Sequence, residues 1–258
     1  MAYLAQFYWT SAARSHVGLV RSVNEDTCLA QPERGIWAVA DGMGGHTLGD
    51  FASASVIEAL DTMPPADSLD RLVDEAQKRL QIVNQRLRTE AAARGVSIIG
   101  STVAVLLAFE DRCACLWAGD SRIYLHRDGL LRRITRDHSH VEEMRARGDI
   151  PDQALALHPA RNLITRAVGA METLDLEEEI VEVRENDTFL LCSDGLSNEV
   201  GDAEMEQVMG TDRRSQIADT LIGLALAHGG HDNISVVTAH AEDAHPEEKP
   251  ALNPALQM

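Results

Sequence analysis

The chain has 258 residues, 45% of them apolar and only 4% aromatic, and it carries a formal net charge of -18. That length supplies a sizeable core, which must be aliphatic. A charge this negative excludes nucleic acid and anionic membrane surfaces as partners, because both are bound through clustered Lys and Arg.

The amino terminus, MAYLAQFYWT, has no basic stretch ahead of a long apolar one. No run approaches the roughly 18 apolar residues of a membrane span. The first strand is predicted over 35–40 and the first helix over 52–60. The clearest element is a helix over 68–94. Leu69, Leu72, Val73, Ala76, Leu80, Val83 and Leu87 fall on one of its faces, Asp67 or Ser68 can cap its start, and Gly95 can close its end. Strands over 102–109, 113–118 and 122–126 follow, with Asp128-Gly129 as a hairpin turn. The stretch 136–161 is polar, and Gly148 and Pro151 break it. Strands over 180–183, 188–192 and 234–240 and a helix over 214–227 complete the pattern. Residues 241–258 are rich in Pro, Glu and Ala and are expected to form a disordered tail behind one domain spanning 1–240. Tight turns join successive strands more often than helical crossovers do. Antiparallel sheets with helices packed outside are therefore expected.

The four cysteines are Cys28, Cys113, Cys115 and Cys192. They form no zinc-type pairs, and three lie in apolar runs, which predicts packing in a reducing, cytoplasmic setting.

A carboxylate stands at the mouth of four apolar runs. Ile36–Ala40 leads into Asp41-Gly42, and the run over 113–118 ends in Gly119-Asp120. The run over 189–192 leads into Ser193-Asp194-Gly195, while His231-Asp232-Asn233 opens the last strand. Any one Asp-Gly reads as an ordinary turn. As a set, the four aspartates would repel one another without cations between them, and oxygen-only ligands suit Mg²⁺ or Mn²⁺. Glu25 and Asp26 add two carboxylates, and Arg21 adds a guanidinium whose fork matches phosphate oxygens.

Taken in order, Arg21-x-x-Asn24-Glu25-Asp26, Val39-Ala40-Asp41-Gly42-Met43-Gly44-Gly45, Gly100-Ser101-Thr102, Ala118-Gly119-Asp120-Ser121-Arg122, Ile164-Thr165-Arg166-Ala167-Val168-Gly169, Cys192-Ser193-Asp194-Gly195-Leu196 and Asp232-Asn233-Ile234-Ser235 resemble the bacterial branch of the PP2C-type (PPM) protein serine/threonine phosphatases. The resemblance implies an α+β fold, a four-layer αββα sandwich of two antiparallel sheets flanked by helices. It implies two core Mn²⁺ or Mg²⁺ ions and a third, weaker one. Asp41 would bridge the core ions, the Gly42 carbonyl would bind one, and Asp194 and Asp232 the other. Glu25 would hold metal-bound water, Asp120 would serve the third site with Asp194, and Arg21 would contact the substrate phosphate.

The chemistry that follows is attack on phosphoserine or phosphothreonine by a hydroxide bridging two metals, with Arg21 and the ions stabilising the phosphoryl charge. The implied partners are phosphorylated proteins, a Ser/Thr kinase or its targets, met by a monomer. Some members carry a His directly after the Asp-Gly as the acid for the leaving oxygen. This chain has Met43 there, so His46 or a metal-bound water are the candidates for that role. The segment 136–163 corresponds to a flap beside the active site. Arg122 and Arg166 read as structural ion-pair residues, Ser101 and Thr102 as hydrogen-bonding supports. The alternative function is a catalytically dead PP2C-like binding module, against which the retained Asp41, Asp194, Asp232, Glu25, Asp120 and Arg21 all count.

Overall fold

The computed structural model describes residues 7–44, 48–151, 158–160, 163–211 and 213–244. Two antiparallel sheets stack face to face. One has the order β1 (Phe7–His16), β11 (Ile234–Asp243), β10 (Thr188–Cys192), β7 (Arg122–Arg127), β8 (Leu130–Arg133). The other has the order β2 (Asp26–Gln31), β3 (Ile36–Met43), β5 (Val103–Phe109), β6 (Arg112–Ala118), β9 (Glu177–Glu182), with the short β4 (Gly100–Ser101) also paired to β3. Helices α1 (Gly49–Asp61) and α2 (Leu69–Arg94) pack outside the second sheet. Helices α5 (Asp202–Met209) and α6 (Ile217–His228) pack outside the first. This is the expected four-layer sandwich.

Strand alternation builds three apolar layers from single runs. In β3, Ile36, Ala38 and Ala40 face α1 and α2, while Trp37 and Val39 face the opposite sheet. Side chains of a strand alternate faces, so a strand buried on both sides needs an unbroken apolar sequence. Cys113 and Cys115 both point into the layer between the sheets, as their spacing predicts. Cys192 lies instead in the layer under α5 and α6.

Helix α2 follows its pattern closely. The Ser68 side chain accepts the Arg71 N–H at its start, and Gly95 ends it with φ 66°. All seven of the expected face residues are buried. Truncating one, such as Leu80→Ala, removes packing worth about 2–5 kcal/mol. Asp128-Gly129 makes the β7–β8 hairpin, both residues having the positive φ that such a turn demands.

Four expectations change. β1 and β2 were not expected: β1 is rich in small and polar residues, and it gains its register from β11, whose Val237 faces Ala13. The strand expected over 180–183 begins at Glu177, because acidic Glu177–Glu179 form an edge strand against β6. Charge at an exposed edge blocks further strand pairing. The last strand runs beyond 240 to Asp243, since Ala241, Glu242 and Asp243 pair with Trp9, Tyr8 and Phe7. Residues 245–258 of the expected tail lie outside the described residues. The last helix starts at Ile217, after a 3-10 turn over Arg214–Gln216. Among the described residues no helix is long and apolar enough to cross a membrane.

Candidate active site

Antiparallel strands of one sheet bring their ends to a common rim. Asp41, near the end of β3, faces Asp26 at the start of β2 across the ladder. Its backbone is held from three directions. The Asp41 N–H donates to Thr102 Oγ1 at 3.1 Å, and its carbonyl accepts from Thr102 N at 2.8 Å and Ser101 Oγ at 3.0 Å. Ser101 and Thr102 are thus the supports the sequence suggested. Gly42 donates to the Glu25 carbonyl at 3.1 Å. A Cβ at Gly42 would stand 1.9 Å from the Gly49 carbonyl oxygen, so only glycine admits this approach.

The other sheet contributes Asp194 and Asp232. Asp194 opens the single-turn helix α4 (Asp194–Ser197), and its Oδ2 accepts from Asn198 Nδ2 at 3.0 Å. Asp232 precedes β11 and caps the Asn233 N–H at 2.9 Å. The Arg21 guanidinium donates to Asp232 Oδ2 at 2.8 Å. Asp120 follows β6, where Gly119 takes φ 113°. Gly119 exchanges bonds with His138, accepting from its backbone N–H at 2.9 Å and donating to its Nδ1 at 3.1 Å.

These carboxylates feel one another. Asp41 is pushed well above the usual carboxylate range by burial, then by the charges of Asp26, Asp194, Asp120 and Asp232. Burial and Asp194 push Asp120 up to about 8. Asp194 is raised by burial and by Asp232, while a hydrogen bond with Asp41 works against that rise. Burial pushes Asp26 up to about 7 although Ser193 Oγ donates to its Oδ2 at 2.7 Å. Arg21, by contrast, is raised by its bond to Asp232 and by the charges of Asp232, Glu25 and Asp194.

The structure therefore gathers Arg21, Glu25, Asp41, Gly42, Asp120, Asp194 and Asp232 at one rim. His46 lies outside the described residues, as does Arg161 of the flap. In the described part of the flap, Ser139 caps α3 (His140–Arg147), which Gly148 ends. Arg122 grips Asp137 through two nitrogens, and Arg166 pairs with Asp175 and Glu177, the structural roles expected of both.

Two residues carry more than the sequence signalled. Asp26 is a buried acid whose Oδ1 has no hydrogen-bond partner. Asn233 ties the β1–β2 loop to Asp232: its Oδ1 accepts the Glu25 N–H at 2.8 Å, and its Nδ2 donates to the Val17 and Val23 carbonyls at 2.9 Å each. The Asp-Asn pair ahead of a strand was its only local sign.

Could these residues hold divalent ions? Among the described residues no three Asp, Glu, His or Cys side chains already stand in ligating geometry around one point. The donor chemistry fits nonetheless. The set is oxygen-only, the neighbouring Asp26 has a buried oxygen without a partner, and burial and one another's charge make Asp41 and Asp120 hold protons strongly.

The family profile described as protein phosphatase 2C matches residues 13–221. The chain belongs to the protein phosphatase 2C family, within its bacterial serine/threonine phosphatases. The chain is 38% identical over 239 residues to the serine/threonine protein phosphatase PstP of Mycobacterium tuberculosis, covering 90% of this chain and 45% of PstP. It thus spans about half the length of that relative. Among solved structures, PppA, a key regulatory component of the type VI secretion system in Pseudomonas aeruginosa, superposes with a TM-score of 0.85. It is 44% identical, with 91% of this chain and 98% of PppA covered. The catalytic domain of PstP, solved with two manganese ions, superposes with a TM-score of 0.83 at 34% identity, covering 92% of this chain and all of that one.

Proposed function

We propose that the chain hydrolyses phosphoserine and phosphothreonine in proteins with the help of Mn²⁺ or Mg²⁺, opposing a Ser/Thr kinase. The observation that carries this reading is the set of mutually elevated acids around Asp41, with the Arg21 guanidinium beside them. Asp41, the Gly42 carbonyl, Asp194 and Asp232 would hold the core ions, Glu25 a coordinated water, and Asp120 a third ion. When bound, the ions would activate water as the nucleophile and would neutralise phosphoryl charge.

The chain's own residues do the rest. Arg21 orients the phosphate, since its contact with Asp232 uses one nitrogen and leaves other N–H groups for phosphoryl oxygens. Ser101 and Thr102 hold the Asp41 backbone still, which keeps the site preorganised. Asn233 fixes Glu25 relative to Asp232. His46 or a water remains to protonate the leaving oxygen. The cysteines take no part: Cys192 is fully buried, and burial pushes its thiol up to about 12.

The experiment is hydrolysis of p-nitrophenyl phosphate and a phosphothreonine peptide in Mn²⁺, in Mg²⁺ and in EDTA. Turnover is expected with either metal and not with chelator. Equal rates in EDTA would overturn the reading.

A further inference from the structure

Of the ten large apolar side chains exposed among the described residues, three fall within five consecutive positions: Leu19 at 65%, Val20 at 64% and Val23 at 44%. Exposed apolar side chains gathered in one place mark interaction sites more often than scattered ones do. These positions flank Arg21 in the sequence.

The loop that carries them is pinned at both ends. Gly18, with φ 82°, lies so close to the 230–232 segment that a Cβ there would meet the Asp232 carbonyl oxygen at 2.2 Å. Leu19 N donates to the Gly230 carbonyl at 2.7 Å. Asn233 holds the Val17 and Val23 carbonyls, and Asn24 Nδ2 donates to Ser15 Oγ at 2.8 Å. These apolar side chains therefore stand exposed on a loop fastened to the segment that carries Asp232.

We propose that Leu19, Val20 and Val23 form an apolar rim that selects substrates with an apolar side chain next to the phosphorylated residue. The proposal rests on the phosphatase reading above. Each rim residue lies within two positions of Arg21, or about 7 Å along an extended chain. Neighbouring residues of an extended peptide are spaced at about 3.3 Å, so a phosphate on Arg21 brings its flanking side chains into this range. Charge also favours an apolar neighbour over an acidic one. Residues 17–23 contain no acid, and Arg21 is their one charge. An acidic neighbour would compete with the phosphate for Arg21.

The test compares wild type with Leu19→Ser/Val20→Ser on three substrates in Mn²⁺: p-nitrophenyl phosphate and two phosphothreonine peptides that differ only in Leu or Ser beside the phosphothreonine. Wild type is expected to favour the Leu peptide about tenfold in kcat/KM. The double variant should lose that preference while keeping its rate on p-nitrophenyl phosphate, which also reports correct folding. Equal wild-type rates on the two peptides overturn the rim alone. So does a variant that keeps the preference, or one that loses the small substrate in equal measure. No turnover of any substrate overturns the phosphatase reading and the rim with it.

Discussion

β10 has an aspartate beyond each end, and the two live in opposite circumstances. Asp187, just before the strand, is 1% exposed. Arg127 meets it with two nitrogens at 2.6 and 2.7 Å, and the Arg184 N–H adds a bond at 2.8 Å. Asp194, just past the strand, lies among the site acids, and burial and the charge of Asp232 raise its proton affinity. One carboxylate is neutralised by the protein itself and serves the fold. The other belongs to a group that the protein leaves without enough positive charge, and such a group serves a ligand. An acid's role can thus be read from whether the chain supplies its cation.

Changes in the site acids and in Asp187 test that contrast. The largest effect is expected from Asp41→Asn, which removes the central charge. Metal-dependent turnover of p-nitrophenyl phosphate should fall by on the order of 10³-fold, while the metal-free protein should melt at a higher temperature because repulsion is relieved. A lower melting temperature would mean that the cluster stabilises the fold. Asp187→Asn should do the reverse. Breaking a buried ion pair costs about 3 kcal/mol, read by denaturant unfolding, with the rate per folded molecule unchanged.

The pH dependence comes next. Asp26 and Asp120 are raised to about 7 and about 8, with burial the main cause. A carboxyl in the unfolded chain releases its proton near pH ~4. Between these values the native state holds protons that the unfolded state has given up, so stability falls as pH rises. The metal-free protein should therefore lose stability progressively from about pH 4 to pH 8. Mn²⁺ at about 100 times its Kd should return ~2.7 kcal/mol at the upper end. A stability that is flat or rising with pH in EDTA would contradict the elevated acids. The smallest effect belongs to Arg21→Ala, which should raise KM for the phosphopeptide about tenfold, the loss of one charge-assisted contact. An unchanged KM would remove Arg21 from phosphate binding.

Much of this was legible in the sequence because its causes are local. The α2 face follows from helical spacing, the β7–β8 hairpin from Asp128-Gly129, and the strand-end aspartates from apolar runs that stop at a carboxylate. What could not be read depends on residues far apart. β1 consists largely of small and polar residues and owes its place to β11, more than 200 positions away. Asp26 reads in the sequence as one more carboxylate beside the strand-end aspartates. Its burial under Ser193 is set by packing the two sheets together, which no window around position 26 reveals. Asn233 stands in the sequence only as a member of the last motif, and its work lies in the distant carbonyls of Val17 and Val23.

The cysteines have a practical consequence of their own. Cys113, Cys115 and Cys192 are sealed in the interior, and burial raises all three thiols, so a thiolate-seeking reagent reaches them only when the sandwich opens. Cys28 is only half-buried and sits in β2 beside the candidate site. The four thiols therefore make a natural clock. Alkylation of Cys28 marks local breathing of an edge strand, and the slower alkylation of the other three counts excursions of both apolar layers toward the unfolded state.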